Sequence, residues 1–188
     1  MKRHIFVPGS FSPFHDGHFT LIQNLLADKN NVIEIIMSAK DRDDVNSNIV
    51  FEFISEMFKK YDNVLITLTD ESPIYYVYQN TIPNKNVIYS MIRSSKDNDD
   101  VVVTQYISSF SKNGKFYNDK ILVENLDINT DPISYTDSHN NDIISATHIR
   151  NDLKDKNYKN FKKGYKILLK ENLVSDYKLK KLFNDLTK

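Results

Sequence analysis

The residues best suited to chemistry fall in two short stretches. The first, Gly9-Ser10-Phe11-Ser12-Pro13-Phe14-His15-Asp16-Gly17-His18, sets two imidazoles three residues apart around a glycine. At the start of a helix that spacing lets both rings face one side and donate together to the oxygens of an anion, where unpaired backbone N–H groups add to the attraction. Gly9 and Gly17 give the backbone freedom to turn tightly or to approach a ligand. With 5 His and 4 Gly in 188 residues, chance supplies roughly 0.003 occurrences of His-x-Gly-His. Two capping histidines on an exposed loop are therefore the weaker account of it. A zinc site is weaker again, because no third ligand is evident nearby.

The second stretch is Ile144-Ser145-Ala146-Thr147-His148-Ile149-Arg150. It carries hydroxyls and a guanidinium from the apolar pair Ile143-Ile144 into a helix, so it reads as a second strand-to-helix junction. One of Ser145 and Thr147 suits the N-cap of that helix. Arg150 is one of only four arginines in a chain with 21 lysines, and a planar fork at a helix N-terminus matches a polyphosphate.

The elements that must position these residues alternate. Ile5-Phe6-Val7 reads as a buried strand closed by Pro8-Gly9. From His18, Phe19, Leu21, Ile22, Leu25 and Leu26 follow one helical face, ended by the polar run from Asp28 to Asn31. Val32 to Met37 is a β-branched strand. Ile49 to Tyr61 has the helical face Val50, Phe53, Ile54, Met57 and Phe58. The pattern predicts strands at Val64–Leu68 and Asn86–Tyr89, a short helix at Ile74–Gln79, and either element at Val101–Phe110. Such alternation predicts a doubly wound α/β domain, a Rossmann-like parallel sheet with helices on both faces. Beyond a turn at Gly114 and a strand at Ile121-Leu122-Val123, the region from Ser111 to Asn141 reads as a long loop or lid. Thr147–Lys154 and Phe161–Glu171 read as C-terminal helices, and Asp176 as the N-cap of a last one. No repeat or linker divides the chain, so one domain over residues 1–188 is expected, of a size that buries a sizeable core.

Composition narrows the function. There is no Cys, which excludes a thiolate nucleophile and Cys-ligated metal, and 25 basic residues balance 25 acidic ones. A balanced charge offers no case for binding a nucleic acid backbone. From Asn151 onward 11 Lys stand against 5 acids, which reads as solvated helix faces. No apolar run is long enough to span a membrane and no targeting segment is visible, so a soluble cytoplasmic protein is expected.

In this order and at about this separation, the two stretches resemble the nucleotidylyltransferase superfamily, whose His-x-Gly-His signature is shared with class I aminoacyl-tRNA synthetases. The resemblance brackets most of the chain. The synthetases themselves are far longer and carry a lysine-rich signature where this chain has Ser-Ala-Thr-His-Ile-Arg. The resemblance implies transfer of a nucleoside monophosphate from ATP or CTP to a phosphorylated acceptor, with Mg²⁺ as cofactor and pyrophosphate released. It implies that His15 and His18 contact the phosphates, with His18 stabilising the transition state at the α-phosphate. Gly9, Ser10, Phe11 and Gly17 would line the bound ATP, and Ser145, Thr147 and Arg150 would hold its β and γ phosphates. In-line transfer of this kind needs alignment and charge neutralisation rather than a protein nucleophile.

For the acceptor, Ile36-Met37-Ser38-Ala39-Lys40 followed by Asn48-Ile49-Val50-Phe51-Glu52 is similar to nicotinamide-nucleotide adenylyltransferases, as is Ile92-Arg93-Ser94-Ser95-Lys96-Asp97. Met37 and Ile49 replace a Gly and a Pro of that pattern, and the chain has no Trp to stack on nicotinamide. Nicotinamide mononucleotide is the leading acceptor, with Lys40 as a contact for its phosphate. Phosphopantetheine, or a cytidylyltransferase reaction on glycerol phosphate or a sugar phosphate, stand behind it. A non-catalytic nucleotide-binding regulator is the alternative of another class. Many relatives are multimers, so a homo-oligomer is compatible with the resemblance.

Overall fold

The computed structural model describes residues 1–92, 99–126 and 144–188. Five strands, β1 (Lys2–Gly9), β2 (Asn31–Ser38), β3 (Val64–Thr69), β4 (Val87–Met91) and β5 (Leu122–Val123), form one sheet in the order β3-β2-β1-β4-β5. Every pairing is parallel. Helices α1 (Asp16–Leu26), α2 (Ser47–Phe58), α3 (Pro73–Asn80) and α4 (Asp99–Phe110) supply the crossovers. The order reverses between β1 and β4, as in a doubly wound Rossmann-like α/β fold. Helices α5 (Ala146–Lys154), α6 (Tyr158–Phe161), α7 (Lys166–Lys170) and α8 (Asp176–Leu186) follow.

The chain divides into two compact units. One comprises Met1–Gly9, Leu25–Ser38 and Tyr61–Ile128; the other comprises Ser10–Asn24, Ala39–Lys60 and Asn129–Lys188. In the first, Phe6, Ile36, Val77, Tyr89, Met91, Tyr106 and Phe110 form a buried cluster. Phe6 stacks on Tyr89 with ring centroids 5.9 Å apart. Each such side chain taken from water stabilises the unit by about 1.5–3 kcal/mol before ordering costs. In this interior Thr81 Oγ1 lies 2.8 Å from the Tyr106 hydroxyl. The buried Glu34 of β2 accepts from His4 Nε2 at 2.8 Å, Thr67 Oγ1 at 2.7 Å and the Tyr76 hydroxyl at 2.9 Å. Burial opposes its charge, and the hydrogen bonds from His4, Thr67 and Tyr76 prevail, holding the carboxyl below its usual range.

In the second unit the C-terminal helices and α2 share an aromatic interior. Phe53 meets Tyr165 edge to face at 6.3 Å, and Phe161 packs against Tyr165 and Phe183 at 4.8 and 5.2 Å. The helix expected over Phe161–Glu171 is broken into α6, a 3₁₀ turn at Lys162–Tyr165, and α7. Gly164 lies in that turn, and a Cβ there would collide with the Ile149 methyl of α5. The turn thus passes close to the Ile149 side chain, a contact between segments distant in sequence. The last helix begins one residue earlier in its capping than Asp176 would give: Ser175 is the N-cap, its hydroxyl accepting from the Lys178 N–H at 3.2 Å.

Val101–Phe110 resolves as helix. Ile144 and Ser145 are irregular backbone, while Ile143 lies outside the described residues, as do 127–141 of the expected lid and Arg93–Asp97 of the acceptor-like stretch. Among the described residues no helix is long and apolar enough to cross a membrane. Lysines of the basic C-terminal region pair at the surface, Lys162 with Asp176 at 2.7 Å and Lys178 with Glu56 at 2.9 Å, in keeping with solvated faces.

Candidate functional site

The loop that leaves β1 is held in an uncommon conformation. Phe11 is buried, yet its φ is 49°, a left-handed value that a bulky side chain adopts at a cost of about 1–2 kcal/mol. Its ring is edge-on to His18 at 5.0 Å, and Phe14, which packs against Phe58 of α2, lies 5.4 Å from the same imidazole. Ser12 Oγ donates to the Ser10 carbonyl at 3.0 Å, and the Ser12-Pro13 bond is cis.

The two imidazoles are placed by the backbone that carries them. The Gly17 N–H donates to His15 Nδ1 at 3.1 Å, and the His15 N–H donates to His18 Nδ1 at 3.3 Å. Since both Nδ1 atoms accept, each neutral ring carries its proton on Nε2. The ring centroids are 3.9 Å apart. A Cβ at Gly17 would come within 3.0 Å of the His15 ring and 3.3 Å of the Ile144 side chain, so the His15 ring would have to give by a few tenths of an ångström. His18 keeps part of its surface exposed, but its ring is enclosed by Phe11, Phe14 and His15. Loss of hydration lowers its pKa from 6.5 to about 4, so at neutral pH it is a hydrogen-bond donor and not a cation.

Asp16, between the two histidines, is buried and faces another task. Its carboxylate accepts from the backbone N–H groups of Ile167 at 2.8 Å and Leu168 at 3.1 Å, capping α7 and anchoring the histidine loop to it. Burial raises its pKa from 3.8 to about 6, against the pull of those hydrogen bonds.

The second motif lies against the first. Helix α5 begins at Ala146, and the Ser145 hydroxyl caps it by accepting from the His148 N–H at 3.3 Å. Arg150, one turn in, is buried with all three guanidinium nitrogens engaged. Nη1 donates to the Ser12 carbonyl at 2.7 Å, Nη2 to Thr147 Oγ1 at 3.1 Å, and Nε pairs with the Asp43 carboxylate at 2.8 Å. Burial lowers the Arg150 pKa, as does the nearby Arg42, while Asp43 raises it.

The loop after β2 completes the cluster. Asp41 accepts from the Ser47 N–H and hydroxyl at 2.8 and 3.0 Å, and Asn46 caps α2. Between them Arg42 and Val45 exchange backbone hydrogen bonds across two left-handed residues, Asp43 (φ 50°) and Asp44 (φ 66°). Arg42 Nη1 donates to Ser10 Oγ at 3.3 Å.

Of the residues singled out in the sequence, Ser10, Phe11, His15, Gly17, His18, Ser145, Thr147 and Arg150 are thus brought into one connected cluster. Lys40 is exposed in the same loop as Arg42. Gly9 closes β1 opposite Met37 and belongs to the sheet unit. Arg42, Asp43 and Asp16 escaped sequence reasoning. The scarcity of arginine that drew attention to Arg150 applies equally to Arg42, and was the available signal. Among the described residues no group of three His, Asp or Glu is arranged to hold a metal ion. No protein-family model matches the chain, and no curated protein matches it in sequence.

Proposed function

We propose that this protein is a cytoplasmic nucleotidylyltransferase that transfers AMP from ATP to the phosphate of nicotinamide mononucleotide, forming a dinucleotide and releasing pyrophosphate. The observation that carries the reading is the hydrogen bond from Arg150 Nη1 to the Ser12 carbonyl. It ties the Ser-Ala-Thr-His-Ile-Arg stretch to the His-x-Gly-His loop, as one polyphosphate site built from two helix starts requires.

In the reaction an oxygen of the acceptor phosphate attacks the α-phosphorus of ATP. A new P–O bond forms as the bond to the bridging oxygen of the β-phosphate breaks, and that electron pair leaves with pyrophosphate. The nucleophile is already an anion, so no protein base is needed. His18 donates from Nε2 to an α-phosphate oxygen as charge builds there, and its enclosed setting strengthens that bond relative to water. Arg150, with Thr147 and the first turn of α5, holds the leaving phosphates, and His15 contacts the phosphates beside His18, whose ring the His15 backbone N–H orients through Nδ1. Magnesium bound with the nucleotide would supply further neutralisation of phosphate charge, and no cluster of three acidic or histidine side chains among the described residues would hold it by itself.

A pyrophosphate-release screen tests the reading. ATP and CTP are each offered with nicotinamide mononucleotide, its deamidated acid, phosphopantetheine or glycerol 3-phosphate. Release confined to ATP with nicotinamide mononucleotide is the expected result, and another productive pair would reassign the acceptor. ATP binding without release from any pair would favour a nucleotide-binding regulator.

A further inference from the structure

The pairing of Arg150 with Asp43 has the form of an exchangeable contact. The Arg150 side chain is 6% exposed and that of Asp43 is 48% exposed, so a sunken cation is neutralised by a carboxylate that stands half in solvent. That carboxylate reaches only Nε of the fork. It is carried on a turn of two consecutive left-handed aspartates, a backbone arrangement that non-glycine residues hold only when neighbouring contacts enforce it. The same turn carries Arg42, whose guanidinium reaches Ser10 Oγ in the histidine loop. A second guanidinium, that of Arg42, thus stands near Arg150 on the same turn that carries its counter-ion.

We propose that Asp43 is a built-in surrogate for a substrate phosphate oxygen, displaced from Arg150 when a polyphosphate binds, so that Arg42 and Arg150 then hold the anion together. The proposal rests on the reading of this cluster as a polyphosphate site. Asp43 lowers affinity for every anion and thereby selects for charge: a chloride or a single phosphate gains too little from Arg150 to replace a tethered carboxylate, whereas a triphosphate engages both guanidiniums at once.

Titration calorimetry with inorganic tripolyphosphate, at low ionic strength, tests this on the wild type, Asp43→Asn and Asp44→Asn. Asparagine tolerates the left-handed conformation, so the turn is preserved in both variants. Asp43→Asn is expected to bind about three- to fivefold more tightly than the wild type, the range of a partly exposed ion pair. Asp44→Asn, which removes the same charge one residue away, is expected to stay within about twofold. Unchanged or weaker binding by Asp43→Asn would overturn the proposal and make Asp43 a positioning residue for Arg150. Equal tightening by both variants, or no binding by any of the three proteins, would overturn it as well. Pyrophosphate release is measured separately. Turnover together with weakened binding in Asp43→Asn would sink the exchange and leave the enzyme reading standing, whereas tighter binding without turnover would do the reverse.

Discussion

Glu34 and Arg150 are both buried charges, each with three hydrogen-bonding partners, yet the partners are of different kinds. Glu34 is met by His4, Thr67 and Tyr76, side chains drawn from two neighbouring strands and a helix of its own unit. Arg150 is met by a backbone carbonyl, by the hydroxyl of the exposed Thr147 and by the half-exposed Asp43. Removing a partner of the first kind leaves a stranded charge inside a sheet. Replacing Thr147 or Asp43 costs less, because solvent or a ligand takes their place, while the buried Ser12 carbonyl stays. Glu34 is held by half-buried side chains of its own unit, whereas two of the three Arg150 partners stand open to solvent.

The sharpest break of that comparison is at the site itself. His18→Ala is expected to lower pyrophosphate release by about 10²-fold or more, with the unfolding transition little changed. A variant that keeps above a tenth of the wild-type rate would remove His18 from the role given to it. Glu34→Ala should do the opposite. It strands His4, Thr67 and Tyr76 and is expected to cost about 2–4 kcal/mol in urea unfolding, while activity per folded molecule is retained. A cost under about 0.5 kcal/mol, typical of surface sites, would show that the network is not structural.

Titration sharpens the contrast within the histidine loop, where two neighbouring groups have opposite signs. The His18 pKa falls on folding, from 6.5 to about 4. The unfolded chain thus binds the proton first, and stability present above pH 6.5 is lost as the pH drops toward 4. The Asp16 pKa rises on folding, from 3.8 to about 6. Its contribution is full below pH 3.8 and is lost as the pH climbs through 6. Unfolding free energies of His18→Gln and Asp16→Asn, each subtracted from the wild type between pH 4 and 7, should therefore slope in opposite directions. Parallel slopes would mean that one of the two groups is not buried as described. The smallest effect is the tighter tripolyphosphate binding of Asp43→Asn, which bears directly on whether the partners of Arg150 are replaceable.

Much of the architecture was legible because its causes are local. A β-branched run such as Val32 to Met37 reads as a strand, and the spacing of Val50, Ile54 and Phe58 reads as a helix face, whatever the rest of the chain does. Boundaries were less legible. The histidine helix starts at Asp16 rather than His18, and Phe161–Glu171 is broken at a 3₁₀ turn where Gly164 lies against Ile149, a contact between segments that share no local pattern. The 93–98 and 127–143 stretches lie outside the described residues.

The same division holds for the site. By itself the sequence singled out the candidate residues, because two imidazoles flanking Gly17 and a rare arginine one turn into a helix are dense local signals. Only the tertiary structure decided their partners. Arg150 finds the Ser12 carbonyl across 138 residues, and Asp16 finds the Ile167 N–H across 151. Pairings at such separations are chosen by the geometry of burial, which leaves each interior donor and acceptor to be satisfied by whatever the fold brings within reach. Asp43 came to face Arg150 by that rule, and no periodicity or motif along the chain encodes it.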